Sequence, residues 1–566
     1  MHEAETSPFV RHRLLLLVAL GLALYVPFLS LRDLWYPDEP EIAEVAKAMY
    51  ESGDWIAPRR MGQIWVDYPP MLYWAGAASS HVLGGVSELS LRLPNALAAI
   101  ALVALVCVAG SRWFGERAGL WAGFALLTFQ QFAYQAVSYR PDVFFALFIA
   151  AGLLVYAAGA GAGGPPRAVL RVLGFALLGL AMLSKGPLGL LLPGLVLTLW
   201  HGSRREWRRL LELAPLSLVA AAVYLAWFVP CARAMGAPSI LHELWAQNVA
   251  RFFGGARGHG QPWHYYITAI WADLAPWSVL LPFAAAGALR SERRSDGRSW
   301  LAILWLGAFL SFLSLAVTKR QLYLLPAYPA AALLLSPWLD AITRSPSAAL
   351  ARPARVYALV LSGLLVLIGV VVLAAAVWIE PVASRIELTE LERTTLPALR
   401  APLAAVALLL VAGGAWIALA ARRRPIGTAL VRVGVVHVAL YAVLLAWLLP
   451  AMNPFRTYRP QAEWVRDAIG ASTHLGLAYP ARGVGKRGAF GYYTGKSVDL
   501  VETPEELEHF FERNPDSLVL VHDDAVPQVL GAESAWRERV VRELWITRDR
   551  YLVVRAAHDA SPPGGI

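Results

Sequence analysis

Tyr36 to Pro70, YPDEPEIAEVAKAMYESGDWIAPRRMGQIWVDYPP, concentrates carboxylates directly behind the first long apolar run of the chain. Asp38 stands three residues before Glu41, the relation of a capping box, and Pro40 falls in the first turn, where a missing N–H costs nothing. The spacing predicts a helix from here to Gly53. Ile42, Val45, Ala46 and Met49 recur at i, i+3, i+4 and i+7, so this helix is expected to lie on a membrane surface rather than cross it. Asp38 and Glu39 then face water or a cavity at the membrane boundary. As a cap or a dipole partner each contributes about 1 kcal/mol. As a catalytic carboxylate, Asp38 could orient a sugar or take a proton from an acceptor hydroxyl. Asp142, in the turn Arg140-Pro141-Asp142, is the second catalytic candidate.

Cations supply the complementary chemistry. Arg140, Lys185, Arg251, and Lys319 with Arg320, fall at outer ends of apolar runs, against the trend of the other basic residues. One such charge can simply snorkel to the interface. Several on one side, beside apolar walls, suit a lipid phosphate, which Arg and Lys hold by charge-assisted hydrogen bonds. In a helix, Lys319 and Tyr323 would share a face and could grip one headgroup. The loop 233–266 adds His242, Glu243, His259 and His264. No HExxH or paired CxxC spacing is present, so no cofactor is required, and Asp67 with His259 is the pair expected to hold a divalent metal ion if one binds. Trp and Tyr around these segments form an interface belt or stack on a sugar.

Positioning these groups falls to long apolar helices. Of 566 residues, 57% are hydrophobic and 16% charged, against about 25% charged in soluble domains. Runs near the ~20 residues that span a bilayer as helix exclude a β-barrel. Spans are expected at about 14–31, 90–111, 118–137, 143–160, 169–183, 186–201, 211–232, 267–289, 300–317, 321–341, 355–378, 400–420 and 428–449. The net charge of +10 resides in short loops, which is an orientation signal and argues against nucleic acid as a partner. Arginines at 112, 117, 167, 204, 205, 208, 209, 290, 293, 294, 298, 344, 352, 355 and 422–424 all fall on one side if the N-terminus is cytoplasmic. Charges at one membrane face, with no internal repeat, argue against a transporter.

The chain thus reads as a polytopic α-helical membrane protein with two regions: 1–449 in the membrane, with the helical loop 32–89 on the outer face, and 450–566 as a soluble outer α/β domain. Strand-like runs His474–Tyr479, Ser497–Val501, Leu518–His522 and Tyr551–Arg555 alternate with a helix over Pro504–Arg513. Gly483, Gly485 and Gly488 have GxGxxG spacing but lack the βαβ context and following acid of a dinucleotide site. Cys107 and Cys231 give no disulfide framework.

PDEPEIAEVAKAMYESGDWIAPRRMG, YRPDV, LSKGPLGLLLP, NVARFFGGARGHGQPWHYY and TKRQLYLLPAYP resemble, in order, the signatures of the protein mannosyltransferase and aminoarabinose (lipid A) transferase superfamily of GT-C glycosyltransferases, over about residues 14–341. The resemblance implies a GT-C fold of about thirteen spans and inverting transfer of a monosaccharide from a polyprenyl-phosphate donor. The acceptor it implies is lipid A or another glycolipid or glycan at the periplasmic face of the inner membrane, with protein O-mannosylation as the nearest alternative. Carried over residue by residue, Asp38 matches the acid of the first outer loop, Asp142 the second acid, and Lys319 and Tyr323 the Lys and Tyr of K-x-x-x-Y-x-L-P, where the donor phosphate is expected. His259 matches the His of H-x-x-P. Arg251, Lys185, Arg140 and His264 complete the expected donor-binding set. One departure stands out: Asp67-Tyr68-Pro69 replaces the Glu-Lys-Pro typical of the aminoarabinose transferases.

Overall fold

The computed structural model describes residues 8–160, 165–236, 246, 250, 252–254, 260–290, 297–344, 348–383, 390–479, 484–531, 537–546 and 549–556. Among them, nine helices are long and apolar enough to cross a membrane, from Glu88–Phe114 to Ile426–Ala451. The chain is an integral membrane protein. Every expected span coincides with helix, but four are short or broken. His12–Phe28 and Leu188–Ser203 are shorter apolar helices, and Tyr265–Asp273 with Ser278–Arg290 is a pair bent by 117°. The expected span 118–137 is split into Glu116–Thr128 and Gln130–Ala136 by Phe129, whose φ/ψ of −63/127 is extended.

The two breaks meet and satisfy each other. The Gln130 N–H donates to the Ala275 carbonyl at 3.1 Å, the Trp277 indole to the Thr128 hydroxyl at 2.8 Å, and the Tyr441 hydroxyl to the Thr128 carbonyl at 3.0 Å. Irregular backbone inside a bilayer persists only where protein groups replace the lost ladder bonds. Close helix crossings rest on small residues, as expected in lipid. At Gly119 a Cβ would stand 2.4 Å from the Cys107 carbonyl oxygen.

The segment after the first apolar helix, expected on the outer side, folds into the helix Asp38–Ser52, ended by Gly53 at φ 69. Its apolar residues are buried as the periodicity requires, but so are Glu39 and Glu44. The expected membrane-surface placement is therefore corrected: the helix is sandwiched between Met71–Leu83 on the bundle and Val484–Thr494 from the C-terminal region. The expected capping box is also absent. Pro37 is the N-cap and makes no side-chain cap bond, because the Asp38 carboxylate is drawn to arginines.

Beyond the last membrane helix, a five-stranded sheet has the order Ser497–Leu500, His474–Ala478, Val519–His522, Asp549–Val554, Val540–Ile546. The first three strands are parallel and the last two antiparallel. Leu475, Leu477, Leu520 and Val553 fill one core and Val519, Val521, Phe510 and Phe511 the other.

This region is interlocked with the segment that holds helix Asp38–Ser52. The Tyr36 N–H donates to the Arg456 carbonyl at 3.0 Å, the Trp35 indole to Asn453 Oδ1 at 2.9 Å, and Arg459 pairs with Asp33 at 3.2 Å. Tyr36 packs on Tyr458 with ring centroids 5.2 Å apart. At Gly488 a Cβ would stand 2.9 Å from Glu41 Cα, so this glycine permits a close helix approach rather than cradling a phosphate.

Candidate active site

Glu39, 2% exposed, is the anchor from which the site is built. Its carboxylate accepts from Arg32 at 2.7 and 3.0 Å, from Arg92 at 2.9 and 3.1 Å, and from the N–H groups of Trp35 and Tyr139 at 3.0 and 2.8 Å. Burial alone would raise its pKa, but the two guanidiniums hold it far below the usual carboxylate range. A carboxylate so satisfied repays its desolvation only because every lone pair is used. The effect is to fix the start of helix Asp38–Ser52 against the turn at Tyr139, and so to set Asp38 beside Arg140.

Asp38 accepts from Arg320 at 3.1 and 2.7 Å, a bidentate fork, and is also paired with Arg140. Burial pushes its pKa up; hydrogen bonds and charge from Arg320 and Arg140 outweigh this and bring it down to about 2. Arg320 is placed by extended backbone, φ/ψ −137/145, and its carbonyl accepts from the Tyr266 hydroxyl at 3.2 Å.

Asp142, 2% exposed, opens helix Asp142–Gly159 and is ion-paired with Lys185, the last residue of helix Pro165–Lys185. The Lys185 ammonium also lies 4.3 Å from the centre of the Tyr323 ring. Beside this pair opens a cavity of about 120 Å³. Asp67, Tyr68, Lys185, Thr318 and Tyr323 form its polar part, while Tyr224, Trp227, Phe228, Phe252 and Phe312 are prominent in its apolar wall.

The structure brings together Asp38 with Arg140, and Asp142 with Lys185, Tyr323 and Asp67. Lys319 is not brought in. Its ammonium donates to the carbonyls of Gln261, at 3.0 Å, and Ala316, and it is absent from the cavity wall. The shared helical face expected for Lys319 and Tyr323 is corrected too: the chain is extended at Arg320, and a 3₁₀-helix starts only at Gln321. His264 is exposed at the start of helix Tyr265–Asp273, its ring edge-on to Trp263 at 5.6 Å. Arg251 and His259, like His242 and Glu243, lie outside the described residues. The metal expectation for Asp67 with His259 therefore falls outside them too. Among the described residues no group of three or more His, Cys, Asp or Glu is arranged to hold a metal ion.

Sequence reasoning missed the Glu39 clamp and the part played by Arg320. The signal for the clamp was present, since Arg32 and Arg92 sit at span ends on the same side as Arg140. Arg320 stands beside Lys319, and nothing local in the sequence says which of the two turns inward.

Over residues 67–232 the chain matches the family model described as dolichyl-phosphate-mannose-protein mannosyltransferase. It is 34% identical over 329 residues to the undecaprenyl phosphate-alpha-4-amino-4-deoxy-L-arabinose arabinosyl transferase of Pseudomonas paraeruginosa, covering 57% of this chain and 58% of that one. A second enzyme so named, from Sodalis glossinidius, is 30% identical over 323 residues, 55% of this chain and 57% of that one. The chain thus spans less than two thirds of the length of these relatives. In three dimensions the crystal structure of ArnT from Cupriavidus metallidurans bound to undecaprenyl phosphate is similar over 97% of this chain and 99% of that one, with TM-score 0.75 and 21% identity. The archaeal oligosaccharyltransferase AglB from Archaeoglobus fulgidus is similar at TM-score 0.51 and 12% identity, over 95% of this chain and 73% of that one. The motif resemblance to this superfamily is borne out, and the fold is that of the GT-C transferases.

Proposed function

We propose that this chain is an inverting glycosyltransferase that moves a monosaccharide from a polyprenyl-phosphate donor to a glycolipid acceptor, lipid A or another envelope glycan, at the periplasmic face of the inner membrane. The observation that carries this reading is the cavity beside Asp142. It is walled by aromatic and aliphatic side chains and meets Lys185, Tyr68 and Tyr323 at its polar part, the same division as an isoprenoid tail ending in one phosphate. The names of the relatives, arabinosyl transferases acting from undecaprenyl phosphate, support the same class of donor. The periplasmic assignment rests on the arginine phase of the loops.

Transfer needs the charge of the leaving phosphate held in a partly dry site. Lys185 does this, kept in place by Asp142, with the Tyr323 and Tyr68 hydroxyls in reach of the same space. Where aminoarabinose transferases typically carry a lysine at the position of Tyr68, this chain relies on Lys185. Asp38, with a pKa near 2, is a weak base. Its role is to hold Arg140 and Arg320 on the sugar and acceptor side, which suits an acceptor that is itself a phosphate and has no proton to give up.

The test is to incubate the purified protein with an undecaprenyl-phosphate-linked sugar and lipid A, and to weigh the products by mass spectrometry. A lipid gaining one sugar residue is expected. An unchanged acceptor lipid overturns the proposal. Sugar appearing on protein instead would select protein O-glycosylation, the reading favoured by the family-model match over 67–232.

A further inference from the structure

Helix Asp142–Gly159, 18 residues and hence about 27 Å long, starts in the site just described and ends at a second cavity, of about 360 Å³. Four arginines from four elements line it. Arg112 lies in the last turn of Glu88–Phe114, Arg167 near the start of Pro165–Lys185, Arg204 directly after Leu188–Ser203, and Arg298 at the start of Arg298–Leu315. Trp113, Trp200 and small residues including Ala158 form walls between them, with Glu206 as the one carboxylate among the described residues.

Arg204 is held in position by a relay that starts from a buried histidine. His201, fully buried, bridges the Tyr156 hydroxyl at 2.9 Å and Glu206 at 2.7 Å, and the other Glu206 oxygen accepts from Arg204 Nε at 2.9 Å. The Arg204 guanidinium stands 5.3 Å from the Trp200 ring centre and fills the space above Gly297, where a Cβ would meet Nη1 at 1.5 Å. Arginines that serve only to orient the chain need to be on the right side; they need neither convergence on a cavity nor a buried histidine behind one of them.

Immediately beyond Arg167 on its helix, Val169, Val172 and Leu173 are 64%, 44% and 46% exposed, a face for acyl chains. Four arginines converging on one cavity, tryptophan walls and an adjoining lipid-facing stripe describe a headgroup and the tails below it. We propose that this cavity binds the phosphate of an anionic phospholipid in the leaflet opposite the Asp38 site.

The test uses the full chain in nanodiscs of phosphatidylcholine with a rising share of phosphatidylglycerol, read by native mass spectrometry of retained lipid and by thermal unfolding. The natural chain is expected to retain phosphatidylglycerol and to unfold at higher temperature with it. Arg112→Gln with Arg298→Gln is expected to raise the half-saturating share about thirtyfold, given the usual contribution of each basic side chain near anionic lipid. Arg208→Gln with Arg423→Gln removes the same charge away from the cavity and is expected to leave binding unchanged. Equal effects of the two pairs overturn the proposal. Should the first pair fail to fold, Ala158→Phe fills the cavity with all charges kept; undiminished lipid retention in that variant also overturns it. Protection by inorganic phosphate equal to that by phosphatidylglycerol overturns the lipid assignment in favour of a soluble anion.

Discussion

Asp38 and Lys185 differ in what their removal exposes. Asp38→Asn keeps the shape but leaves two guanidiniums facing a neutral amide, so a fall in transfer of about 100-fold or more is expected, with a stability loss of about 1–3 kcal/mol. Rates should therefore be normalised to folded protein, measured by size-exclusion chromatography. The folded-state pKa of Asp38 is depressed, from 3.8 to about 2. Its ion pairs stabilise the fold above pH ~4, by about 2 kcal/mol, and that contribution is lost as pH falls toward 2. The lysines separate in the same assay. Lys185→Gln removes the ammonium at the cavity and should cost ~30- to 1000-fold in rate at limiting donor, equivalent to 2–4 kcal/mol. Lys319→Gln loosens two backbone carbonyls outside the cavity and should lower thermal stability while leaving most of the activity. A large rate loss at 319 with none at 185 would reverse this assignment.

The helix Asp38–Ser52 shows what was legible in the sequence and what was not. Its start near Pro40, its end at Gly53 and its apolar stripe follow from local pattern, because a first-turn proline, a terminal glycine and the period act within a few residues, although the capping box read there does not form. Its setting does not, because the partner that covers Glu44 arrives from Val484–Thr494, more than four hundred residues later. The same limit applies at Phe129, where nothing local announces that the freed Gln130 N–H will be met by Ala275, and at strand Val540–Ile546, where an irregularity between Val540 and Arg542 breaks the alternation a strand is read from. Glu44 gives this interface a titration. It is 9% exposed and accepts from the Met61 N–H at 3.0 Å through one oxygen only, and burial, only partly opposed by that bond and nearby cations, pushes its pKa up to about 7. A raised carboxyl pKa stabilises the folded state below the unfolded value near 4.5 and loses that contribution as pH rises through 7, by up to about 3 kcal/mol. Glu44→Gln should flatten the fall in melting temperature between pH 5 and 8, and an unchanged slope would clear Glu44 of it. Gly488→Val, which cannot fit against Glu41, should depress transfer without touching the cavity, with limited proteolysis reporting release of the C-terminal sheet.

Across the whole molecule, two polar clusters occupy opposite ends of one apolar bundle, and the proposed orientation, read from the arginine phase, puts the Asp38 end outside. A cysteine at exposed position 513 should react with an impermeant maleimide in intact spheroplasts, over a low background because Cys107 and Cys231 are both buried. Reaction only after lysis would invert the orientation. The contact between Asp33 and Asn453, 420 positions apart, also has a meaning in time. At ordinary elongation rates of about 5–20 residues per second, roughly 20–80 s pass between synthesis of the two. During that interval helix Asp38–Ser52 lacks the surface that covers its Glu44 side, although Arg320 has by then been made. A nascent chain is accordingly born without a finished Asp38 centre and matures only when its last quarter has been made and has folded against the first segment. Ribosome-arrested chains ending before residue 453 should leave a cysteine placed at Tyr36 open to the same maleimide, and the released full-length chain should protect it.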